Sequence, residues 1–188
     1  MKFFVKSFIF LFISFVVIII SLYVYAYLSP KLDLKTSGSL YLYDNQNELI
    51  YQGSRSNEWA NLEDISQYLI DAVVAVEDKN FYNHHGFDYP RIAKAMLTNI
   101  KKKAIVQGAS TISQQYIKNL YLDFDKTWER KIEEAFLTLE LEVHYSKDEI
   151  LEGYLNTINY GQGNMGIVNA ASYYFNKKPK DLTLEEAI

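Results

Sequence analysis

The feature that most constrains this chain is an apolar run without a charged residue, over residues 8–28. As a helix this run would be about 31 Å long, which matches the hydrocarbon core of a bilayer. Tyrosines near its end suit the membrane interface, and the run is longer than the apolar core of a cleaved signal peptide. We therefore expect residues 1–30 to hold a short N-terminus and an uncleaved transmembrane anchor. Lysines flank both sides of the run, so charge alone leaves its orientation open.

The composition is that of a globular protein. The 188 residues are 49% hydrophobic and 22% charged, which argues against disorder and allows about one folded domain after the anchor. A net charge of -4 and a single notable basic run, Lys101 to Lys103, give no sign of nucleic-acid binding. The absence of cysteine excludes disulfides and thiolate metal sites. Residues 31–188 are therefore expected to form one domain that packing stabilises.

Strand-forming residues around a polar turn predict a β-hairpin over residues 39–53. Beyond it the pattern is helical. Ile65, Leu69, Val73 and Val76 predict one buried helix face that ends just before Glu77. Further helices are predicted over residues 91–103, 111–122, 128–145, 147–158 and 166–175. We expect a mainly α-helical domain with one small β element.

The stretch EDKNFYNHHGFD, residues 77–88, places charged residues and two histidines at the end of that helix. Glu77 follows the apolar stripe directly, where partial removal from water suits a carboxylate to act as a general base. While this stretch stands alone, a solvated glutamate with His84 and His85 as packing residues is the simpler explanation. A metal site made by His84, His85 and Asp88 is the weakest one, because the side chains of adjacent histidines point apart.

The stretch QGASTISQQYIKN, residues 107–119, predicts a capped helix start. Thr111 is the expected N-cap, with Gln114 closing a capping box. Thr111, Gln115 and Lys118 fall on one polar face that ends in a cation. A glycine loop and free amides at the helix start could together hold an anion such as phosphate. Ordinary capping also explains Thr111 and Gln114.

The helix over residues 128–145 carries an acid that belongs to neither of its predicted faces. The predicted buried stripe consists of Ile132, Phe136, Leu139 and Val143, and the predicted solvent side carries Glu133 and Glu140. Glu134 lies instead one turn after Arg130, at the start of a row whose far half is apolar. It forms either an exposed ion pair or a partly buried carboxylate that Arg130 and Lys131 keep ionised.

Together these stretches resemble the family-51 glycosyltransferases, the peptidoglycan glycosyltransferase domain of class A penicillin-binding proteins and of monofunctional transglycosylases. EDKNFYNHHG is similar to the family's ED-x-x-F-x-x-H-x-G, GASTISQQ to its G-x-S-T-x-x-Q-Q, and RKIEE to its R-K-x-x-E. KDEILEGYLN resembles K-x-x-I-L-x-x-Y-L-N, and a Gly-rich segment with Ala-Ala-x-x-Y-F follows. The motifs occur in the family's order and cover about residues 40–188.

The resemblance implies polymerisation of lipid II into glycan strands, with inversion at the anomeric carbon and release of undecaprenyl pyrophosphate. Glu77 is implied as the general base for the acceptor hydroxyl. Glu134 is implied as a second catalytic glutamate that stabilises the pyrophosphate region directly or through a divalent cation, Mg or Mn. The residues implied at the pyrophosphate and donor cleft are Lys94, Ser110, Thr111, Gln114, Gln115, Lys118, Arg130 and Lys131. Those implied to support the motifs are Asp78, Phe81, His84, Gly86 and Asn156. No organic cofactor is implied.

The same resemblance implies a lysozyme-like, mainly helical fold with a mobile segment between the first two motifs. It places the N-terminus in the cytoplasm and the catalytic domain on the extracytoplasmic side of the cell membrane, beside its lipid-linked substrates. The implied partners are lipid II, the nascent glycan chain, the cytoplasmic membrane and a cell-wall synthesis complex, without nucleic acid.

Two features depart from the family pattern. Lys94 stands where many relatives have arginine, which keeps the charge but loses bidentate phosphate contacts. Relatives continue where this sequence stops at Ile188, so a truncated C-terminus is expected, and no Ser-x-x-Lys or Lys-Thr-Gly transpeptidase motif occurs in these residues.

Two alternative functions stay open. One is a lysozyme-like peptidoglycan hydrolase or lytic transglycosylase with Glu77 as general acid. It gives no reason for Lys118, Arg130 and Lys131 to accompany Glu134. The other is an inactive membrane-anchored scaffold that binds lipid II.

Overall fold

The computed structural model describes residues 2–34, 41–44, 46, 48–52, 58–122 and 127–188, and these are mainly helical. The elements in chain order are α1 Lys2–Leu28, β1 Tyr41–Tyr43, β2 Leu49–Gln52, α2 Gln67–Glu77, α3 Tyr89–Lys102, α4 Ile112–Tyr121, α5 Trp128–His144, α6 Lys147–Thr157, α7 Ile167–Phe175 and α8 Leu184–Ala187. Short 3-10 turns occupy Leu62–Asp64, Phe81–Asn83 and Pro179–Asp181. The predicted mainly α class, with one small β element, is confirmed.

Helix α1 is long and apolar enough over Phe4–Leu28 to cross a membrane. Its end is attached to the rest of the protein. The ring nitrogen Nε2 of His144 lies 2.9 Å from the carbonyl oxygen of Ala26, and the hydroxyl of Tyr145 donates to the carbonyl of Leu32. The candidate anchor therefore continues directly into the packed domain.

Strands β1 and β2 pair antiparallel, with Tyr41 opposite Gln52 and Leu42 opposite Tyr51. The side chain of Asp44 organises the connection, because its Oδ1 accepts the backbone amides of Gln46 and Glu48, each at 2.8 Å. The predicted hairpin is confirmed for the strands. Residues 39, 40, 45, 47 and 53 of the predicted range lie outside the described residues.

Helix α4 lies at the centre of the core, packed against both α5 and α6. Its buried side chains, Ile112, Tyr116 and Ile117, meet apolar residues of α5, α6 and the loop after α2. The approach of α4 to α6 is very close at Gly153, where a Cβ atom would lie 2.0 Å from the hydroxyl oxygen of Tyr116. That hydroxyl donates to the carbonyl of Leu34 at 2.9 Å, which ties the segment after α1 to the core.

The predicted buried face before Glu77 is wrong at its far end, because Val76 is 76% exposed. The prediction placed Ile65 and Val76 in one continuous helix. The chain instead forms a 3-10 turn, extends at Ile65 and begins α2 only at Gln67. This break does not move Val76 relative to Leu69, since both lie in α2. Val76 lies in the last turn of α2, past the part of the helix that buries Leu69 and Ile70.

The predicted buried stripe of α5 is also wrong in part. Ile132 is 57% and Phe136 42% exposed, whereas Glu140, predicted on the solvent side, is buried. The face that α5 turns inward carries Glu134, Thr138 and Leu141 instead. Ile132 and Phe136 line an open groove of about 600 Å³ beside Tyr25 of α1.

Candidate active site

Glu77 is the last residue of α2, and its half-buried side chain reaches the core through one hydrogen bond. The amide Nε2 of Gln115 on α4 donates to Glu77 Oε2 at 2.9 Å, and the hydroxyl of Tyr154 on α6 donates to Gln115 Oε1 at 3.1 Å. Among the residues that the structure describes, no hydrogen bond reaches Glu77 Oε1. The expected position at the rim of packed structure is confirmed, and Oε1 keeps no hydrogen-bond partner among these residues.

Asp78, the next residue, is fully buried and serves the protein itself. Its carboxylate lies 2.9 Å from Nε2 of His84 and accepts the backbone amide of Ile112 at 3.1 Å. The guanidinium of Arg91 lies 3.9 Å away. A buried carboxylate needs such partners, because an unpaired charge is costly away from water. Asp78 therefore fastens the first motif to the start of α4.

The protein's own groups occupy two of the amides at the start of α4 that were expected to be free for an anion. Asp78 takes the amide of Ile112, and Thr111 Oγ1 takes the amide of Gln114 in a complete capping box. Thr111 is fully buried, and its hydroxyl donates to the carbonyl of Gly86 at 2.7 Å. In this arrangement Thr111 positions the start of α4 and is not exposed at the surface.

Gly86 is required by the close packing of the first motif on α5. Its φ of +85° lies in the left-handed region, and a Cβ atom there would lie 3.0 Å from Cγ2 of Thr138. Phe81 of the same motif is fully buried, and its ring contacts that of His84. Gly86 and Phe81 therefore pack the first motif onto the core of the protein.

Glu134 is only 2% exposed and is the centre of a cluster of donors. Arg130 Nη1 donates to its Oε2 at 2.8 Å, Lys131 Nζ donates to its Oε1, and Gln114 Nε2 lies 3.1 Å from the same Oε1. Of the two interpretations of Glu134, the exposed ion pair is wrong, because the carboxylate is buried and paired with Arg130 and Lys131. The arrangement holds two cations at the edge of the fold.

Neighbouring glutamines of α4 connect the two glutamates. Gln114 contacts Glu134, and Gln115 contacts Glu77. Successive residues of a helix point about 100° apart, so adjacent amides reach different partners on either side of α4. The two acids are thereby held in fixed relation to one rigid element.

The other predicted site residues take different places. Lys118 is half-buried on α4, one turn beyond Gln114 and Gln115, and Lys94 is exposed on α3. Ser110 is exposed just before the N-cap of α4. Asn156 supports the fold: its Oδ1 accepts the amide of Ala60 at 2.9 Å and its Nδ2 donates to the carbonyl of Ala60 at 2.8 Å.

With this geometry in place, the comparison with known proteins decides the family. The transglycosylase family model matches residues 45–188. This chain belongs to the transglycosylase family. It is 52% identical over 159 residues to penicillin-binding protein 2D of Bacillus subtilis (strain 168), an alignment that covers 85% of this chain and 23% of that protein.

Other transglycosylase relatives match over similar stretches. Penicillin-binding protein 1F of B. subtilis is 42% identical over 142 residues, which cover 76% of this chain and 20% of the relative. Penicillin-binding protein 1A of Neisseria flavescens is 43% identical over 158 residues, which cover 84% of this chain and 19% of the relative. This chain therefore spans about a fifth of the length of these curated relatives. Family membership confirms the resemblance of the motifs and the lysozyme-like, mainly helical fold class.

Two side chains of this transglycosylase domain contribute to the site without having been predicted there. Arg91 donates to the backbone carbonyl of Glu77, and Tyr154 lies behind Gln115. The backbone amide of Arg91 also donates to the N-cap Asp88, three residues earlier. The sequence pattern predicted residue 91 only as the start of a helix. Tyr154 is the tyrosine of the fourth motif. The motif identified the residue but did not predict its contact with Gln115.

The described residues of this transglycosylase site are not arranged as a ready metal site, and the divalent cation implied near Glu134 stays a prediction. In the described ranges, no group of three or more acidic or histidine side chains is placed to hold an ion. The histidine site is wrong, since His84 binds Asp78 and the carboxylate of Asp88 accepts from Arg91 N and Asn80 Nδ2. Both oxygens of Glu134 already accept from cations, which a metal would have to displace.

Proposed function

We propose that this chain is a peptidoglycan glycosyltransferase domain, which polymerises lipid II into glycan strands and releases undecaprenyl pyrophosphate. One observation carries this proposal. Two carboxylates of opposite character are held by neighbouring glutamines of α4: Glu77 at the rim with an open oxygen, and Glu134 buried among cations. The first suits proton removal, and the second suits charge stabilisation.

On the acceptor side, the oxygen of the 4-hydroxyl of lipid II attacks the donor's anomeric carbon. Glu77 Oε1 takes the proton of this hydroxyl during the attack. The bond from this carbon to the pyrophosphate oxygen breaks as the new glycosidic bond forms on the opposite face, so the configuration inverts. The proton ends on Glu77. Gln115 supports this role by binding Oε2 and leaving Oε1 accessible.

On the donor side, pyrophosphate departure builds negative charge. Arg130 and Lys131 lie at the edge of the fold and are anchored by Glu134, and Lys118 follows Gln114 by one turn of α4. Cations fixed before the reaction stabilise developing charge better than water, because they need no reorganisation. Glu134 acts in this scheme through the cations it holds, and no step passes through a metal.

The exposed surface supports action at a membrane. Helix α3 and the residues after it expose Tyr89, Ile92, Met96, Leu97, Ile100, Ile105 and Val106. The lysines at 101, 102 and 103 lie beside them. Apolar side chains next to basic ones suit the boundary of a bilayer, and α1 supplies a candidate anchor. The extracytoplasmic orientation and the cell-wall synthesis complex stay predictions.

The test offers purified chain in detergent two substrates in parallel: labelled lipid II and polymeric peptidoglycan. A glycosyltransferase converts lipid II into a ladder of glycan bands and leaves the polymer intact. Soluble fragments from the polymer would support the hydrolase alternative, and binding of lipid II without turnover would support the scaffold. Either result, obtained with folded protein, contradicts the proposal.

A further inference from the structure

Behind the proposed base lies a buried tyrosine that the reaction scheme does not yet use. Tyr154 is 3% exposed on α6. Its hydroxyl donates to Gln115 Oε1 at 3.1 Å, and Gln115 Nε2 donates to Glu77 Oε2 at 2.9 Å. Two hydrogen bonds in series thus join the interior of α6, through α4, to the carboxylate at the end of α2.

The direction of these hydrogen bonds follows from which groups can donate and which can only accept. An ionised carboxylate only accepts hydrogen bonds, so the NH2 group of Gln115 must face Glu77. The hydroxyl of Tyr154 donates to the other end of the same amide. Burial, and then the nearby charge of Glu77, raise the pKa of Tyr154, so its hydroxyl stays protonated at neutral pH.

A reversed amide would be penalised at both ends. Its oxygen would face the carboxylate of Glu77, and the hydroxyl of Tyr154 would have to accept a hydrogen bond and leave its own hydrogen unpaired. An unpaired polar hydrogen in a buried site costs much of the desolvation of that group. Tyr154 therefore selects the amide orientation that binds an ionised Glu77.

We propose that Tyr154 is a positioning residue for glycosyl transfer, which locks the amide of Gln115 so that Glu77 is held by Oε2 and keeps Oε1 open for the acceptor's proton. This inference rests on the proposed function. Among the described side chains, Gln115 is the one that hydrogen-bonds the Glu77 carboxylate, since Arg91 donates to the backbone carbonyl of Glu77. Tyr154 does not touch substrate and acts through Gln115.

The first variant is Tyr154→Phe, matched by Tyr160→Phe. The hydroxyl of Tyr160 also donates a hydrogen bond inside the protein, to the carbonyl of Leu155 at 3.1 Å, and it has no part in the hydrogen-bond chain to Glu77. We expect Tyr154→Phe to lower kcat for lipid II polymerisation by about 3- to 10-fold, the value of one hydrogen bond, with KM nearly unchanged. Tyr160→Phe keeps the wild-type kcat. Rates are normalised to folded protein from thermal melts.

A double-mutant cycle separates positioning from mere packing. Gln115→Met keeps the length of the side chain and removes both hydrogen bonds. If Tyr154 acts through Gln115, adding Tyr154→Phe to Gln115→Met changes kcat by less than about 2-fold. A full further loss in that background would show that Tyr154 acts elsewhere and would overturn the inference.

The outcomes keep this inference apart from the proposed function. An active wild type, an inert Glu77→Gln and a Tyr154→Phe variant with wild-type kcat would refute the role of Tyr154 alone. A folded wild type that forms no glycan, or a Glu77→Gln variant as active as wild type, would refute the proposed function and this inference with it.

Discussion

At the scale of single residues, packing gives the carboxylates of the adjacent residues Glu77 and Asp78 different roles. Asp78 is fully buried and serves His84 and the start of α4, whereas Glu77 is half-exposed and keeps one oxygen open. Helix α2 ends between them, so their side chains leave in different directions. A carboxylate with its hydrogen-bonding capacity filled is structural, and one with an open oxygen can do chemistry.

Glu134 is expected to act through the cations that it anchors. Glu134→Gln removes the charge that pairs with Arg130 and Lys131, so both cations lose this anchor in the proposed pyrophosphate region. We expect kcat for lipid II polymerisation to fall by at least about 10-fold. Glu133→Gln, an exposed neighbour on the same helix, is the matched control. Equal rates for the two variants would contradict this role.

Asp88 is expected to stabilise the fold in a pH-dependent way. The backbone amide of Arg91, and then the side chain of Asn80, hold the pKa of Asp88 below its usual value of 3.8. Since the folded pKa is the lower one, the stabilisation is complete above the unfolded value and is lost as pH falls through the folded value. Asp88→Ala should lower the free energy of unfolding by about 1 kcal/mol at pH 7, the value of an N-cap.

Denaturant unfolding of wild type and Asp88→Ala at pH 7 and below pH 4 measures this difference. It should shrink at the lower pH. Glu63→Ala, at an exposed site in a 3-10 turn, controls for general charge loss. A difference that stays constant between the two pH values would show that ionised Asp88 is not what caps α3.

At the scale of elements, the contact between α4 and α6 is expected to tolerate no added atom. Gly153→Ala would place a Cβ 2.0 Å from the hydroxyl oxygen of Tyr116 and force the helices apart. We expect a loss of about 1–3 kcal/mol in the free energy of unfolding, as overpacked cores show. Gly108→Ala is the control, since a Cβ there meets nothing within 4 Å. Equal melting temperatures would contradict the close approach.

Helix α3 is expected to lie at the bilayer surface. Because the chain has no cysteine, a single cysteine at Met96 or at Lys180 can carry an environment-sensitive dye. In lipid nanodiscs the dye at Met96→Cys should emit at shorter wavelength than the same dye at Lys180→Cys, an exposed site beside Asp64. Identical emission at both sites would place α3 in water.

At the scale of the whole molecule, local signals predicted the elements well. The capping box of Thr111 and Gln114 forms as its spacing indicated, and Glu134 is held by Arg130 and Lys131 from one and the same helix. These contacts span three or four residues, which helical periodicity determines without knowledge of the fold. The mainly helical class followed for the same reason.

Local sequence signals could not predict contacts between segments that are far apart in the sequence. Which face of α5 is buried depends on where α4 and α1 pack, so Ile132 and Phe136 were assigned to the wrong side. The amides at the start of α4 were expected to be free, because nothing local reveals that Asp78, 34 residues earlier, accepts a hydrogen bond from the amide of Ile112. Tyr154 was likewise identified as a motif residue. Its link to Glu77 could not be predicted, because it runs through Gln115 on another helix.

The most direct test of the account compares wild type and Glu77→Gln in lipid II polymerisation, each as folded chain in detergent. The amide keeps the shape of the side chain but cannot take a proton at neutral pH, so we expect glycan formation to fall by at least about 100-fold, within the range that a positioned general base supplies. Retained binding of lipid II by the variant would place the loss in the chemical step. Glycan bands as strong from Glu77→Gln as from wild type would contradict the central claim that Glu77 is the general base.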